Sequence, residues 1–226
     1  MKVMLLGASG LTGGMVLEEL LASSVVSQVV APLRRELSIK NEKLQQVVLD
    51  LDQLDAQERL FQVDAILCCL GSTIKKAGSK ERFRAIDCGI PLKAAELGRK
   101  QGVGAYILMS AVGASSSSPV FYNRVKGELE DGLKALEFPY LSIYQPGLLM
   151  TERSEQRTAE SLGIKAMPAI NCLLQGPMKR YRGIEAQTVA KAMVTELISL
   201  ADRPPNQPPE VHVRQFEAMT ALAGRS

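Results

Sequence analysis

The chain of 226 residues is 46% hydrophobic and 23% charged, with a formal net charge of +3, long enough to bury a core without disulfides or a structural metal. Its positive residues are interspersed with Asp and Glu, it has no Trp, and only 4% of residues are aromatic, which excludes a nucleic-acid platform. The 4 cysteines (Cys68, Cys69, Cys88, Cys172) form no C-x-x-C pair and the 1 histidine is His212, so no metal site is expected and the thiols read as free, in a reducing compartment.

The first apolar run stops at Gly7, too early for a signal peptide, and no later run approaches a membrane span. The expectation is a cytoplasmic protein without membrane insertion. Lys2–Leu6 reads as a strand and Gly13–Ala22 as a helix with Met15, Val16, Leu20 and Leu21 on one side. Gln28–Ala31 and Leu44–Leu49 follow as strands. Ala65–Leu70 is an unbroken apolar run, as in a strand buried on both faces, with Cys68 and Cys69 directed to opposite sides. One long helix is expected from about Lys80 to Lys100, then strand Ala105–Met109, a flexible serine loop at Ser115–Ser118, helix Tyr122–Leu136 and strand Tyr140–Tyr144. After Gly147 the pattern loosens. A helical spacing returns from Thr188, Pro204–Pro209 reads as a stiff connector, Val211–Val213 as a last strand and Phe216–Leu222 as a short helix.

This alternation predicts an α/β Rossmann fold, a doubly wound, mostly parallel sheet with helices on both faces. One domain is expected over 1–226, with a cofactor-binding core over 1–147 and a small substrate-side and C-terminal portion over 148–226.

The turn Gly7-Ala8-Ser9-Gly10-Leu11-Thr12-Gly13 lies at the first strand–helix junction. Glycines there let the backbone turn sharply and approach a pyrophosphate, which the helix N-terminus attracts. The second strand runs into Arg34 and Arg35, where domains that prefer NAD usually place an acid. A guanidinium suits a 2′-phosphate, so NADPH or NADP is expected and NAD is disfavoured; two solvated arginines are the alternative. Asp50, ending the third strand, either shapes the adenine pocket or caps the following turn.

Further segments carry a resemblance. They are Cys68-Cys69-Leu70-Gly71-Ser72-Thr73 with Lys75 and Gly78, then Leu108-Met109-Ser110-Ala111-Val112-Gly113-Ala114. Tyr122-Asn123-Arg124-Val125-Lys126-Gly127-Glu128 and Gln145-Pro146-Gly147-Leu148-Leu149 follow in order. Together with the glycine turn they resemble the atypical short-chain dehydrogenase/reductase family, in its Tat-interacting-protein-like, NADPH-binding branch. The resemblance implies an active centre of Ser110, Tyr122 and Lys126. It also implies cofactor contacts from Leu70, Gly71, Ser72, Thr73, Lys126, Pro146, Gly147 and Leu148, beside Gly7, Ser9, Gly10, Leu11, Thr12, Gly13, Arg34, Arg35 and Asp50. Tyr122 and Lys126, at i and i+4, share a helix face. An ammonium there lowers the phenol's pKa from about 10, and Ser110 would meet the substrate oxygen. Many members carry an asparagine on the long central helix. Asp87 stands nearest here, supporting the relay in its place or pairing with a neighbouring arginine. Lys75, Lys76, Lys80, Arg82 and Arg84 form a basic cluster, for phosphates, an acidic substrate or plain solvation. Met109, Met150 and Met167 line an apolar pocket or fill the core.

The function expected is an NADPH-dependent oxidoreductase acting on a small carbonyl or alcohol, its pocket walled by Ala111–Val120, Gln145–Met150 and the stretch after Thr151. A redox-sensing or partner-regulating protein that keeps the cofactor without turnover is the second reading. A nucleotide-sugar epimerase or dehydratase is the third. A small-molecule substrate is expected, and a protein partner or a homo-oligomer stays open.

Overall fold

The computed structural model describes residues 1–150, 171, 174–204 and 207–225. Met167, Cys172, Pro205, Asn206 and the pocket wall expected after Thr151 lie outside the described residues.

The elements are β1 (Lys2–Leu6), α1 (Leu11–Ala22), β2 (Gln28–Leu33), β3 (Leu44–Val48), β4 (Ala65–Cys68), α2 (Ile74–Ala77), α3 (Lys80–Arg84), α4 (Ile90–Lys100), β5 (Ala105–Met109), α5 (Phe121–Ala135), β6 (Tyr140–Tyr144), β7 (Leu149–Met150), β8 (Ile184–Glu185), α6 (Ala186–Ser199), β9 (Glu210–Arg214) and α7 (Phe216–Ala223). Seven strands form one parallel sheet in the order β3-β2-β1-β4-β5-β6-β9. Chain order reverses between β1 and β4, and such a sheet opens a crevice at the strands' C-terminal ends there.

Period-2 alternation divides the core. Val3, Leu5, Leu67 and Cys69 pack on one face with Val16 and Leu20 of α1 and Val189, Met193 and Leu197 of α6. Met4, Leu6, Ile66 and Cys68 pack on the other with Ala94 and Leu97 of α4 and Leu129 and Leu133 of α5. Burial on both faces accounts for the continuous apolar runs of β1 and β4.

Three expectations are corrected. The helix expected over Lys80–Lys100 is interrupted by a π-turn at Ala85–Gly89, where the Ile90 N–H donates to the Ala85 carbonyl. Pro91 follows at once; it has no N–H for the Asp87 carbonyl, and its ring crowds that carbonyl, so the ladder widens. The Ser115–Ser118 loop is docked rather than loose. The Ser115 N–H donates to the Asn123 carbonyl at 3.0 Å and Arg124 Nη1 to the Ser118 carbonyl at 2.8 Å. Short 3-10 turns between Leu51 and Phe61, broken by non-helical backbone at Gln53 and Gln57, also form where no element was expected.

Glu196 of α6, buried, fastens the β6–β9 end of the sheet. Its carboxylate accepts from Tyr140 Oη (2.7 Å), Ser142 Oγ (2.8 Å) and Tyr144 Oη (2.6 Å), and pairs with Arg214 Nη2 at 2.5 Å. Burial and then the neighbouring carboxylate push both phenols far above their ordinary range. Glu196→Ala strands three donors and a guanidinium. Equilibrium urea unfolding is expected to show a loss of about 3–5 kcal/mol; a loss below about 1 kcal/mol would mean the network is idle.

Candidate functional site

The glycine turn is shaped by contact as well as by conformation. Gly7 has φ +86°, and a Cβ there would lie 2.6 Å from the Cys69 carbonyl carbon; one on Gly13 would lie 2.0 Å from the Gly7 oxygen. The turn is thereby pressed against the exit of β4. Gly10 caps α1 without any side-chain hydrogen bond, and α1 has no acidic residue in its first turn. An uncapped helix start reached through glycines is suited to an anion.

A cleft of ≈ 260 Å³ opens at this junction, lined by Gly7, Ser9, Gly10, Arg34, Asp50, Leu70, Gly71 and Ser72. Pro32, Leu33, Leu51, Cys69, Ile86 and Ile90 supply most of its apolar wall, and Lys76 and Arg82 join its basic rim. The apolar residues were not singled out for the cofactor; Lys76 and Arg82 belong to the basic cluster read as serving phosphates, an acidic substrate or plain solvation. Asp50 has both roles open to it, lining the cleft and accepting the Asp52 N–H at 3.1 Å. Leu11, Thr12, Gly13, Arg35, Thr73, Lys126, Pro146, Gly147 and Leu148 lie outside the cleft lining, as do Ser110 and Tyr122. Thr73 instead caps α2, accepting the Lys76 N–H at 3.2 Å. Pro146 accepts the Val112 N–H at 2.9 Å, which ties the Pro146–Leu148 segment to the loop after Ser110.

A buried ion pair lies next to Gly71. Lys126 Nζ is 2.9 Å from Asp87 Oδ1, with the two side chains 5% and 1% exposed. The Ser72 N–H donates to Asp87 Oδ2 at 2.8 Å. Asp87 therefore pairs with Lys126 rather than with an arginine; Arg84 is taken by Glu128 and Arg82 by Asp52. A Cβ on Gly71 would lie 3.3 Å from Asp87 Oδ1 and 3.7 Å from Lys126 Nζ, so this glycine makes room for the pair. Burial raises the Asp87 carboxyl against the pull of Lys126. Burial would push the Lys126 ammonium down, but the Asp87 charge holds it above its ordinary value.

Tyr122, half-buried, sits one turn before Lys126 with its ring 5.7 Å from Phe83. Ser110 follows β5 and is buried. Its hydroxyl donates to Glu130 Oε1 at 2.5 Å, a partner that sequence reading missed although Glu130 stands four residues after Lys126. Met109 and Met150 are half-buried, and Met109 packs against the α1–α6 core. Among the described residues no group of His, Cys, Asp or Glu is arranged to hold a metal, and no helix is long and apolar enough to cross a membrane.

Residues 7–197 match the NAD(P)H-binding family. The chain belongs to that family. A curated relative, Protein HTATIP2 of Rattus norvegicus, is 36% identical over 88% of this chain and 81% of its own length. Protein FMP52, mitochondrial, of Meyerozyma guilliermondii is 37% identical over 68% of this chain and 67% of its own. Among solved structures, the fold matches MoeE5 in complex with UDP-glucose and NAD (TM-score 0.68, 14% identity, 100% of this chain and 82% of that one). It also matches a putative NAD-dependent epimerase/dehydratase from Bacillus halodurans (TM-score 0.67, 21% identity, 100% of both chains). This NAD(P)H-binding family member thus has a Rossmann-type α/β fold, shared with these structures.

Removing the Asp87 charge should invert a pH dependence. In the wild type Lys126 is held above its unfolded value, so its contribution is complete below about pH 10.4 and fades above. In Asp87→Asn burial is unopposed, the ammonium loses its proton at lower pH, and stability rises with pH as it does so. The stability gap between the proteins, measured by urea unfolding from pH 7 to 11, is expected to narrow upward. A constant gap would show that Asp87 does not hold the Lys126 proton.

Proposed function

We propose that the protein is an NADPH-dependent oxidoreductase that moves a hydride to or from a small carbonyl or alcohol. The observation that carries this reading is the buried Lys126–Asp87 pair, one helical turn from Tyr122 and bonded through Ser72 to the loop bordering the glycine cleft. When bound, the nicotinamide supplies or takes up the hydride. Tyr122 gives the proton to the substrate oxygen in reduction and takes it in oxidation. Lys126, kept charged by Asp87, stands one helical turn from Tyr122, and its positive charge opposes the negative charge left as the phenol releases its proton. Lys126 would also meet the hydroxyls of the nicotinamide ribose, and Ser110 the hydroxyl of an alcohol substrate beside Tyr122.

The turn from Gly7 to Gly13 would hold the pyrophosphate at the start of α1, and Leu70–Thr73 and Pro146–Leu148 would hold the nicotinamide half. Arg34 lines the cleft from the end of β2, is exposed, and makes no ion pair among the described residues, which supports a 2′-phosphate there. Arg35 adds charge from outside the cleft. The free thiols Cys68, Cys69 and Cys88 support a reducing compartment, and we place the protein in the cytoplasm.

Two expectations test the reading. Arg34→Ala should weaken NADPH by about 1.5–3 kcal/mol and leave NADH nearly unchanged in calorimetric titration; equal affinities for both cofactors in the wild type would contradict the assignment. Tyr122→Phe keeps the ring and removes the acid. Turnover, followed as NADPH oxidation over a panel of small aldehydes and ketones, should fall by about 10²–10⁴-fold, and equal rates would exclude Tyr122 as proton donor.

A further inference from the structure

Glu130 is a buried carboxylate at the C-terminal edge of the sheet, bonded to residues that follow two neighbouring strands. Ser110 follows β5 and donates its hydroxyl to Oε1 at 2.5 Å. Gln145 follows β6 and donates Nε2 to Oε1 and Oε2, both at 3.0 Å. Gln215 follows β9 and donates Nε2 to Gln145 Oε1 at 3.0 Å, which holds the Gln145 amide with its NH₂ toward the carboxylate. Ser110, Glu130 and Gln145 are 6%, 4% and 8% exposed. Nothing in the proposed hydride-transfer chemistry requires a second buried acid on α5, one turn beyond Lys126.

We propose that Glu130 is a positioning residue whose carboxylate accepts the Ser110 hydroxyl hydrogen bond and so leaves Ser110 only lone pairs, as a hydrogen-bond acceptor, toward the active site. The inference deepens the oxidoreductase reading and rests on it for the meaning of Ser110. A serine hydroxyl has one proton and two lone pairs. With that proton directed into an ionised carboxylate, only lone pairs remain for a ligand, and whatever meets Ser110 must donate. A hydroxyl does so, whether of Tyr122 or of an alcohol substrate; a bare carbonyl oxygen does not. The opposite polarity requires a protonated Glu130 that donates to Ser110 Oγ.

Burial leaves the Glu130 carboxyl above the ordinary carboxylate range, and the bonds it accepts are what hold the ionised form in place. Burial raises its pKa, while the Ser110 and Gln145 donors lower it. The charged groups acting on it are Lys134 and Asp131 of its own helix, which pair with each other at 3.3 Å. The side chains facing it from the ends of β5 and β6 are uncharged, and Lys126, a turn away, is occupied by Asp87.

The polarity has a signature that needs no substrate. In protein labelled with ¹³C at the glutamate carboxyl, assigned with Glu130→Gln, the Glu130 resonance is titrated in the wild type and in Ser110→Ala. If Ser110 donates to the carboxylate, its loss destabilises the ionised form and the midpoint rises by about one pH unit. Ser110→Cys, a weaker donor, should raise it by less and provides the reading if the alanine variant does not fold. Ser110→Thr should restore the wild-type midpoint. A midpoint that falls in Ser110→Ala means that Glu130 donates to Ser110, and an unchanged one means that they are not bonded; either overturns the proposal. Adding NADP⁺ to the wild-type sample separates the two claims. No cofactor response would sink the oxidoreductase reading and leave the Glu130–Ser110 result standing.

Discussion

The pair between Asp87 and Lys126 is the constraint around which the candidate site is built. Two opposite charges leave water together, which costs several kcal/mol per ion unless further hydrogen bonds are made. Asp87 makes one to the Ser72 N–H, and Gly71 contributes the absence of a side chain. One carboxylate therefore joins the π-turn, the loop leaving β4 and the helix that carries Tyr122. The same loop begins where Gly7 meets the Cys69 backbone, so the glycine turn and the helix carrying Tyr122 are held against one element.

The sheet ends on which these groups stand are fixed by buried carboxylates of different character. Glu196 serves tyrosines, a serine and an arginine at the β6–β9 edge and locks their phenols in the neutral form. Glu130 faces only neutral donors and reaches the residue expected to meet the substrate. Asp87 has a full countercharge. The first is architectural, whereas under the proposed function the other two would set the polarity around Tyr122.

Much of this was legible in the sequence because it depends on local pattern. Apolar runs bounded by turns marked the strands, and adjacency alone sent Cys68 and Cys69 to opposite core faces. The glycine turn announced itself by its place after β1. What was not legible depends on partners distant in the chain. Pro91 signals a disturbed helix, but that the disturbance is a π-turn presenting Asp87 to Lys126 follows from packing across 39 positions. Glu130 looked like one more acid on a charged helix; its importance comes from Ser110, Gln145 and Gln215, which only the parallel sheet brings to one edge. The short segments β7 and β8 pair across more than thirty residues and carry no periodic signal.

A crystal structure of the protein with NADP⁺ tests the central claim most directly. The account predicts the pyrophosphate against the backbone of Gly10 and Leu11, the 2′-phosphate within reach of Arg34, and the nicotinamide ribose hydroxyls within hydrogen-bond distance of Lys126 Nζ while Asp87 keeps its hold on Ser72. A cofactor seated away from the glycine turn, or one whose nicotinamide half lies remote from Lys126 and Tyr122, would contradict it.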